Sequence, residues 1–225
     1  MERIPVAVRV ARALRDEIVD GHHNPATRLS EQVLAERLGV SRNSLREAFR
    51  ILERDGYVVH IPNRGVFIPE VDAEEVEQLY AFRRVAELGA IVEMTPDQMR
   101  GFARDLQPMA RRIEKAIRED DSVMLGRSNA DLHMSIIRYA GSPVLDQAAA
   151  AVFVRMQLAM LATGRTLELR MLFSKRNLGI IRALAAGNGL RTRAEVRAYL
   201  DASLDDVLDA FGVPRDQRRP HPQLP

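Results

Sequence analysis

The sequence predicts a mainly α protein, in which three helices and a two-stranded β-hairpin precede an all-α helical bundle of about six helices. Apolar residues recur every three or four positions over most of the chain, and two short β-prone runs flank a turn at Pro62. No convincing β-pattern appears after a second turn at residues 69–72. With 225 residues, the chain has room for one small and one ordinary domain. We expect domains at residues 1–70 and 71–212, and a disordered tail at residues 213–225.

Composition excludes several classes of function. The chain has no cysteine, which removes disulfides, thiolate zinc sites and cysteine nucleophiles. No segment approaches the roughly 18 uninterrupted apolar residues of a membrane span, and the N-terminus does not resemble a signal peptide. We therefore expect a cytoplasmic protein with no membrane partner. The net charge is only +2, so binding of nucleic acid must depend on where the arginines lie.

Three helices are predicted in the first domain. An amphipathic pattern covers residues 6–19 and ends at Gly21. Ser30 is a candidate N-cap for a short second helix that ends at Gly39, and Ser41 caps a third helix directly afterwards. Two short helices joined by so brief a turn are typical of a helix-turn-helix.

The third helix carries positive charge on one face. Arg42, Arg46 and Arg50 are four residues apart and therefore lie along one outward face. Arginine suits bidentate contacts to guanine edges and phosphates, which indicates DNA binding. A merely solvated charged face, interleaved with Glu47 and Glu53, is the alternative for this stripe taken alone. The inward stripe is apolar and consists of Leu45, Ala48, Phe49 and Leu52.

A β-hairpin is predicted directly after the third helix. The β-prone runs 57–61 and 66–68 flank a turn that has Arg64 at its tip. The third helix is the candidate recognition helix, and a hairpin in that position is a wing, whose tip can reach the DNA groove beside it. A winged helix-turn-helix is a more specific indication of DNA binding than either element alone.

Roughly residues 8–68 resemble the winged helix-turn-helix of GntR-family regulators. The resemblance rests on the runs Arg28-Leu29-Ser30-Glu31, Leu34-Ala35-Glu36-Arg37-Leu38-Gly39-Val40-Ser41-Arg42, Leu45-Arg46-Glu47-Ala48 and Leu52-Glu53-Arg54-Asp55-Gly56. It implies DNA contacts from the recognition helix and from the wing. Together with the charge pattern, it predicts DNA-binding residues Arg28, Ser41, Arg42, Asn43, Ser44, Arg46, Arg50, Arg64 and Gly65.

The second domain is predicted to be helical from about Ala73 to Phe211. Breaks that divide it into about six helices fall near Thr95-Pro96, Asp120, Gly141-Ser142-Pro143, Gly164 and Gly187 to Gly189. Polar residues occupy apolar faces on four helices: Arg83, Glu87, Asn129, His133, Asn177 and Tyr199. Burying them is costly unless they bond to one another or to a ligand, so we expect them to line one effector pocket. The alternative for each residue is a satisfied core side chain.

This domain resembles the FCD effector domain of the FadR subfamily within GntR. The resemblance rests on Arg83-x-x-x-Glu87, Leu132-His133, Ala140-Gly141-Ser142-Pro143 and Ile180-Ile181-x-Ala183-Leu184. Many such domains bind a divalent metal through an Asp, a His four residues later and two further His. The resemblance places Asn129, His133, Asn177 and Tyr199 at those four positions.

Only one of the four metal ligands is therefore present. An amide replaces the carboxylate, and a phenol must lose a proton of pKa about 10 to ligate well. We predict a degenerate site with no cofactor and no tightly bound transition metal. The remaining uncharged surface beside Arg83 suits an anionic or amphipathic organic effector; a pocket that has lost ligand binding is the alternative.

These expectations define a candidate function. We expect a homodimeric, sequence-specific DNA-binding regulator, by family resemblance a repressor, that binds a palindromic operator and responds to a small-molecule effector. One alternative is an architectural DNA-binding protein that needs no effector. A metal-dependent enzyme is disfavoured, because metal ligands are missing and the sequence has no nucleophile elbow, Walker loop or dinucleotide fingerprint.

Overall fold

The computed structural model describes residues 4–218, which divide into two compact units. The first unit runs to Val71 and includes Val154–Ala162; the second comprises Asp72–Phe153 and the chain from Thr163 onward. The segment 154–162, which the sequence assigned to the second domain, thus groups with the first unit. The reason is packing, since Leu161 lies against Gly21 and Val154 lies against Gly56.

The first unit has three helices and a small antiparallel sheet. The helices are α1 (Val6–Val19), α2 (Glu31–Leu38) and α3 (Arg42–Arg54). The strands are β1 (Arg28–Leu29), β2 (Val59–Ile61) and β3 (Gly65–Phe67), in the spatial order β1-β3-β2. The hairpin of β2 and β3 is the predicted wing. The sequence did not predict β1, because two residues form no pattern of their own and β1 exists only through its pairing with β3.

Local signals set the ends of α2 and α3. Ser30 Oγ accepts a hydrogen bond from the backbone N–H of Val33, and Ser41 Oγ accepts one from Ser44. Gly39 ends α2 in the left-handed region at φ 62°, which glycine adopts without the penalty of a Cβ atom. The predicted inward stripe of α3 is buried, and α3 packs against α1.

Within the described residues, the second unit draws on seven helices rather than about six. They are α4 (Ala73–Val92), α5 (Pro96–Asp105), α6 (Gln107–Arg118), α7 (Ser122–Arg138), α8 (Pro143–Ala162, which continues into the first unit), α9 (Thr166–Ala185) and α10 (Gly189–Ala210). The additional break lies at Leu106, because Pro108 has no N–H and fits only the first turn of α6. Helix α10 packs against α4 and α9, and α7 packs against α9 and α6.

Residues 213–218 belong to the segment that was predicted to be a disordered tail. Here Arg215–Gln217 forms a short 3₁₀ helix, and Arg218 folds back to donate hydrogen bonds to the carboxylates of Asp205 and Asp209 on α10. The sequence did not predict these contacts, because the two carboxylates that hold the Arg218 side chain lie on another element. Residues 219–225 lie outside the described residues.

One helix of the described chain, Pro143–Ala162, is long and apolar enough to cross a membrane by length and composition alone. Its most apolar 18-residue window has a mean hydropathy of 1.4, and 39% of that window is buried. A single such helix is weak evidence for a membrane span, because core helices of soluble proteins have the same character.

Candidate DNA interface and buried polar cluster

The exposed face of α3 carries three arginines, as their spacing predicted. Arg42, Arg46 and Arg50 are all exposed. Arg46 Nε donates to Glu31 Oε2 at 2.9 Å, whereas Arg50 pairs with Glu47 on its own helix. Arg42 is the first residue of α3, where the helix dipole favours a phosphate group. The face therefore presents guanidinium groups toward solvent at three successive turns.

Small polar side chains lie at the same end of α3. The hydroxyl oxygens of Ser41 and Ser44 are 2.9 Å apart, and Asn43 beside them is exposed. All three were predicted to contact DNA, and the structure places them next to Arg42. Groups of this kind at a helix N-terminus suit phosphate oxygens.

The small sheet places two more arginines around a glycine of the wing. Asn63 and Gly65 have positive φ values of 62° and 103°, so the turn needs residues that tolerate the left-handed region. The guanidinium of Arg64 stacks over the Phe67 ring, 5.4 Å from its centroid. Arg28 on β1 crosses Gly65 so closely that a Cβ atom at position 65 would lie 3.3 Å from Arg28 Nε. Gly65 is thus favoured by its positive φ, and a Cβ atom there would make the Arg28 side chain shift by a few tenths of an ångström.

A cavity of about 400 Å³ separates α3 from the wing. Its lining combines an apolar base with charged side chains and consists of Glu31, Arg46, Phe49, Arg50, Glu53, Val58, His60 and Val66. Glu53 Oε1 accepts a hydrogen bond from the backbone N–H of His60 at 3.1 Å. This contact ties the recognition helix to β2 and so sets the distance between helix and wing.

In the second unit, six polar side chains from four helices come together in the interior. Five of them are at most 2% exposed, and Asn129 is half-buried. The six are Arg83 and Glu87 on α4, Asn129 and His133 on α7, Asn177 on α9 and Tyr199 on α10. We call them the polar cluster. They are the residues that the sequence placed in an effector pocket.

The charged part of the polar cluster is a triad. Arg83 Nε donates to Glu87 Oε1 at 2.8 Å, and Glu87 Oε2 lies 2.6 Å from His133 Nδ1. Burial by itself would raise the pKa of Glu87, but the positive charge of Arg83 and the contact with His133 hold that pKa below its usual value. Burial lowers the pKa of His133 despite the nearby carboxylate. The triad is therefore a buried Arg–Glu ion pair with the imidazole of His133 held against the carboxylate.

The uncharged part of the cluster is coupled to the protonation of His133. His133 Nε2 lies 3.1 Å from Asn177 Oδ1, and Asn129 Oδ1 accepts hydrogen bonds from Asn177 Nδ2 and the Tyr199 hydroxyl at 2.9 and 2.7 Å. This arrangement suits a ring with a proton on both nitrogens. A neutral ring that donates to Glu87 has only an acceptor at Nε2, so it requires Asn177 to present Nδ2 instead.

These residues do not fit a transition-metal site. His133 supplies one imidazole, while Asn129 and Asn177 supply neutral amides. Burial raises the pKa of Tyr199, so the phenol keeps its proton and ligates poorly. The nitrogen and oxygen atoms that would have to coordinate a metal instead form hydrogen bonds with one another, at 2.7–3.1 Å. Across residues 4–218, no group of three or more His, Cys, Asp or Glu is placed to hold a metal ion.

Three buried polar atoms at or near the cluster have no hydrogen-bond partner among the described residues. They are Tyr80 Oη, Arg83 Nη2 and Ser174 Oγ. The Tyr80 ring centroid is 5.2 Å from Arg83 Cζ, and Ser174 precedes Asn177 by three positions on the same helix face. Sequence reasoning missed Tyr80 and Ser174 as site residues, because a tyrosine in an apolar stripe and a helical serine are ordinary core residues.

The first unit is a helix-turn-helix with an arginine-bearing wing, which is a DNA-binding arrangement, and an all-α unit with a polar centre follows it along the chain. Residues 6–68 match the family model for bacterial regulatory proteins of the gntR family, and residues 78–202 match that of the FCD domain. The chain belongs to the GntR family and contains an FCD domain.

Individual relatives are also regulators. A GntR regulator structure from Rhodococcus sp. RHA1 is 30% identical, has a TM-score of 0.80, and aligns over 91% of this chain and 98% of that one. The uncharacterized HTH-type transcriptional regulator YdhC of Bacillus subtilis is 28% identical over 139 residues, 60% of this chain and 61% of YdhC. The gluconate operon transcriptional repressor of Bacillus subtilis is 25% identical over 138 residues, 61% of this chain. The match spans 56% of that repressor's length.

Proposed function

We propose that this chain is a sequence-specific DNA-binding transcriptional repressor whose operator binding is modulated by a small organic effector. The observation that carries the proposal is the presence, in one unit, of an arginine face on α3 and a wing with Arg28 and Arg64 around Gly65. Repression is supported by the similarity to a gluconate operon repressor.

In this proposal, α3 enters the major groove and the wing meets the adjacent backbone or minor groove. Arg42 and Arg46 contact base edges, since arginine donates to two acceptors of guanine. The other contacts position the protein on phosphates and sugars. The proposed interface consists of Arg28, Ser41, Arg42, Asn43, Ser44, Arg46, Arg50, Arg64 and Gly65.

We further propose a homodimer that binds a palindromic operator. Two helices of the second unit, which contribute Ala86 and Phe153 to the same hydrophobic core cluster, expose apolar side chains. Val85 and Val92 on α4 are 64% and 58% exposed, and Val144 on α8 is 78% exposed. A second copy of the chain is the partner that would cover these side chains, because twofold symmetry of the protein matches a palindromic site.

The effector is proposed to be an anionic or amphipathic organic molecule held at the polar cluster without a metal. Arg83 Nη2 and Tyr80 Oη are buried donors that an anionic acceptor would satisfy. No cofactor is proposed, because His133 is the one imidazole of the polar cluster and is hydrogen-bonded to Glu87 and Asn177, and no catalysis is proposed. The protein is proposed to act in the cytoplasm, without a membrane partner.

The DNA-binding proposal is tested with a site selected by the protein from random DNA. Arg42→Ala and Arg46→Ala should each weaken binding by about 1–3 kcal/mol if the arginine contacts a base. Arg111→Ala, which removes an exposed arginine from α6, is the matched control and should leave binding unchanged. Binding that is salt-sensitive but independent of sequence would contradict the proposal.

The effector proposal is tested by thermal shift against carboxylates, fatty acids and acyl-CoAs. A ligand should raise the unfolding temperature in a concentration-dependent way. Tyr80→Phe, which removes one unpartnered hydroxyl and keeps the ring, should weaken that response. A panel in which no compound shifts the unfolding temperature would favour an effector-independent DNA-binding protein.

A further inference from the structure

The ion pair between Glu31 and Arg46 joins the two helices of the helix-turn-helix. Glu31 is the first residue of α2, and Arg46 lies on the exposed face of α3, 15 positions further along the chain. Arg46 Nε donates to Glu31 Oε2 at 2.9 Å. The pair of Arg50 with Glu47 differs, because both of its members lie on α3 one turn apart. Of these two ion pairs, the one between Glu31 and Arg46 fixes the position of an α3 arginine against another helix.

The atoms used in this ion pair leave the outer end of Arg46 available. A guanidinium has five N–H groups, one on Nε and four on the two Nη atoms. Glu31 accepts from Nε, so the four Nη donors can still meet the two acceptors of a guanine edge. A free arginine side chain has much rotamer entropy to lose on binding, and an arginine already held by a carboxylate has less.

The carboxylate of Glu31 is itself well placed. Ser30 caps α2, so the helix begins firmly at Glu31, and a negative charge is favoured in the first turn. The Glu31 side chain is 35% exposed and Arg46 is 59% exposed, so the pair lies at the surface with the arginine further out. The other carboxylate lining this cavity, that of Glu53, bonds to the His60 backbone instead.

We propose that Glu31 is a positioning residue for sequence recognition, which fixes the guanidinium plane of Arg46 for one base pair in each half-site. Glu31 makes no DNA contact in this role. The inference rests on the proposed function, in that Arg46 must contact a base. Specificity at this base pair would then depend on Glu31, an acidic side chain of α2, although its negative charge repels the DNA backbone.

The test compares two substitutions of Glu31 that change the net charge equally but differ in whether the new side chain can accept a hydrogen bond from Arg46. Glu31→Gln and Glu31→Ala both remove one negative charge, but the Gln amide oxygen can still accept from Arg46 Nε. Glu47→Gln removes a negative charge from the same DNA-facing helix and is the matched control. Affinities are measured for the site selected by the wild-type protein and for every single-base change in one half-site, at two salt concentrations. Arg46→Ala identifies the position that Arg46 recognises.

At that position, Glu31→Ala should lose about tenfold in discrimination, the scale of a typical base-pair mismatch. Glu31→Gln should retain most of the discrimination, and Glu47→Gln should strengthen binding to all sequences without a positional effect. Equal losses in the Gln and Ala variants, or a uniform change across all positions in Glu31→Ala, would overturn the positioning role. If Arg46→Ala itself shows no positional loss, the proposed base contact of Arg46 has failed instead.

Discussion

His133 Nδ1 lies 2.6 Å from Glu87 Oε2, with both side chains fully buried. The carboxylate faces Arg83 through its other oxygen, so one buried anion bonds to a cation and to an imidazole. Removing any member, or protonating Glu87, leaves the others with unsatisfied buried groups. The polar cluster therefore affects both the stability of the FCD domain and the state of any effector site there.

Stability should decrease as the pH falls below about 6.5. The pKa of His133 is lower in the folded protein than its usual value, so the unfolded chain binds more protons as the pH drops. The contribution of His133 to the free energy of unfolding is complete above pH 6.5. Below pH 6.5 it is lost progressively, by at most about 1.4 kcal/mol per pH unit. The pKa of Glu87 is also lowered in the folded protein. The contribution of Glu87 to the free energy of unfolding is therefore present above its usual pKa and is lost as the pH falls below that value.

This pH dependence is measured as the unfolding temperature between pH 7.5 and 5. His133→Gln should be less stable at pH 7.5 but should show a flatter profile. His60→Gln, which changes an exposed histidine of the wing, should keep the wild-type slope. A wild-type protein that becomes more stable as the pH falls would contradict a lowered pKa of His133 in the folded protein.

Removing one member of the Arg83–Glu87 pair should be more harmful than removing both. Each side chain is at most 1% exposed, so Arg83→Met leaves an uncompensated buried carboxylate and should cost about 3–5 kcal/mol. Arg83→Met combined with Glu87→Leu removes both charges and should recover part of that loss. Chemical denaturation measures the free energy of unfolding of each variant. A double variant that is no more stable than the single one would indicate that the pair does not act as a unit.

Restoring the family's ligand types should create a metal site. Asn129→Asp, Asn177→His and Tyr199→His, introduced together, would place a carboxylate and two imidazoles beside His133. The triple variant should bind about one zinc or nickel ion per chain and gain thermal stability from it. Metal content is measured by elemental analysis after purification without chelator. The variant with an additional His133→Ala change is the control. Stoichiometric metal in the wild-type protein would contradict the metal-free proposal.

The proposed dimer should depend on the exposed valines of α4. Val85→Glu places a charge in that apolar surface and should shift the protein toward monomer in sedimentation experiments. Val33→Glu, at a position that is 59% exposed on α2, should leave the oligomeric state unchanged. An unchanged dimer in Val85→Glu would indicate that a different surface forms the interface.

Elements with local signals were predictable. Ser30, Gly39 and Ser41 mark the helix-turn-helix through caps and a left-handed turn that depend on neighbouring residues only. Strand β1 was not predictable, because it consists of two residues that are ordered by a distant partner strand. The fold-back of Arg218 was missed for the same reason, since its partners are carboxylates on α10.

The candidate sites divide in the same way. The sequence by itself determined the three-arginine face of α3 through four-residue spacing, and it determined the weak ligand chemistry of Asn129, His133, Asn177 and Tyr199 through residue type. Tertiary structure alone decided that Glu31 meets Arg46 and that four helices bring the polar cluster into one hydrogen-bonded chain. Periodicity specifies which way a side chain faces on its own helix, whereas contacts between helices depend on how their surfaces pack.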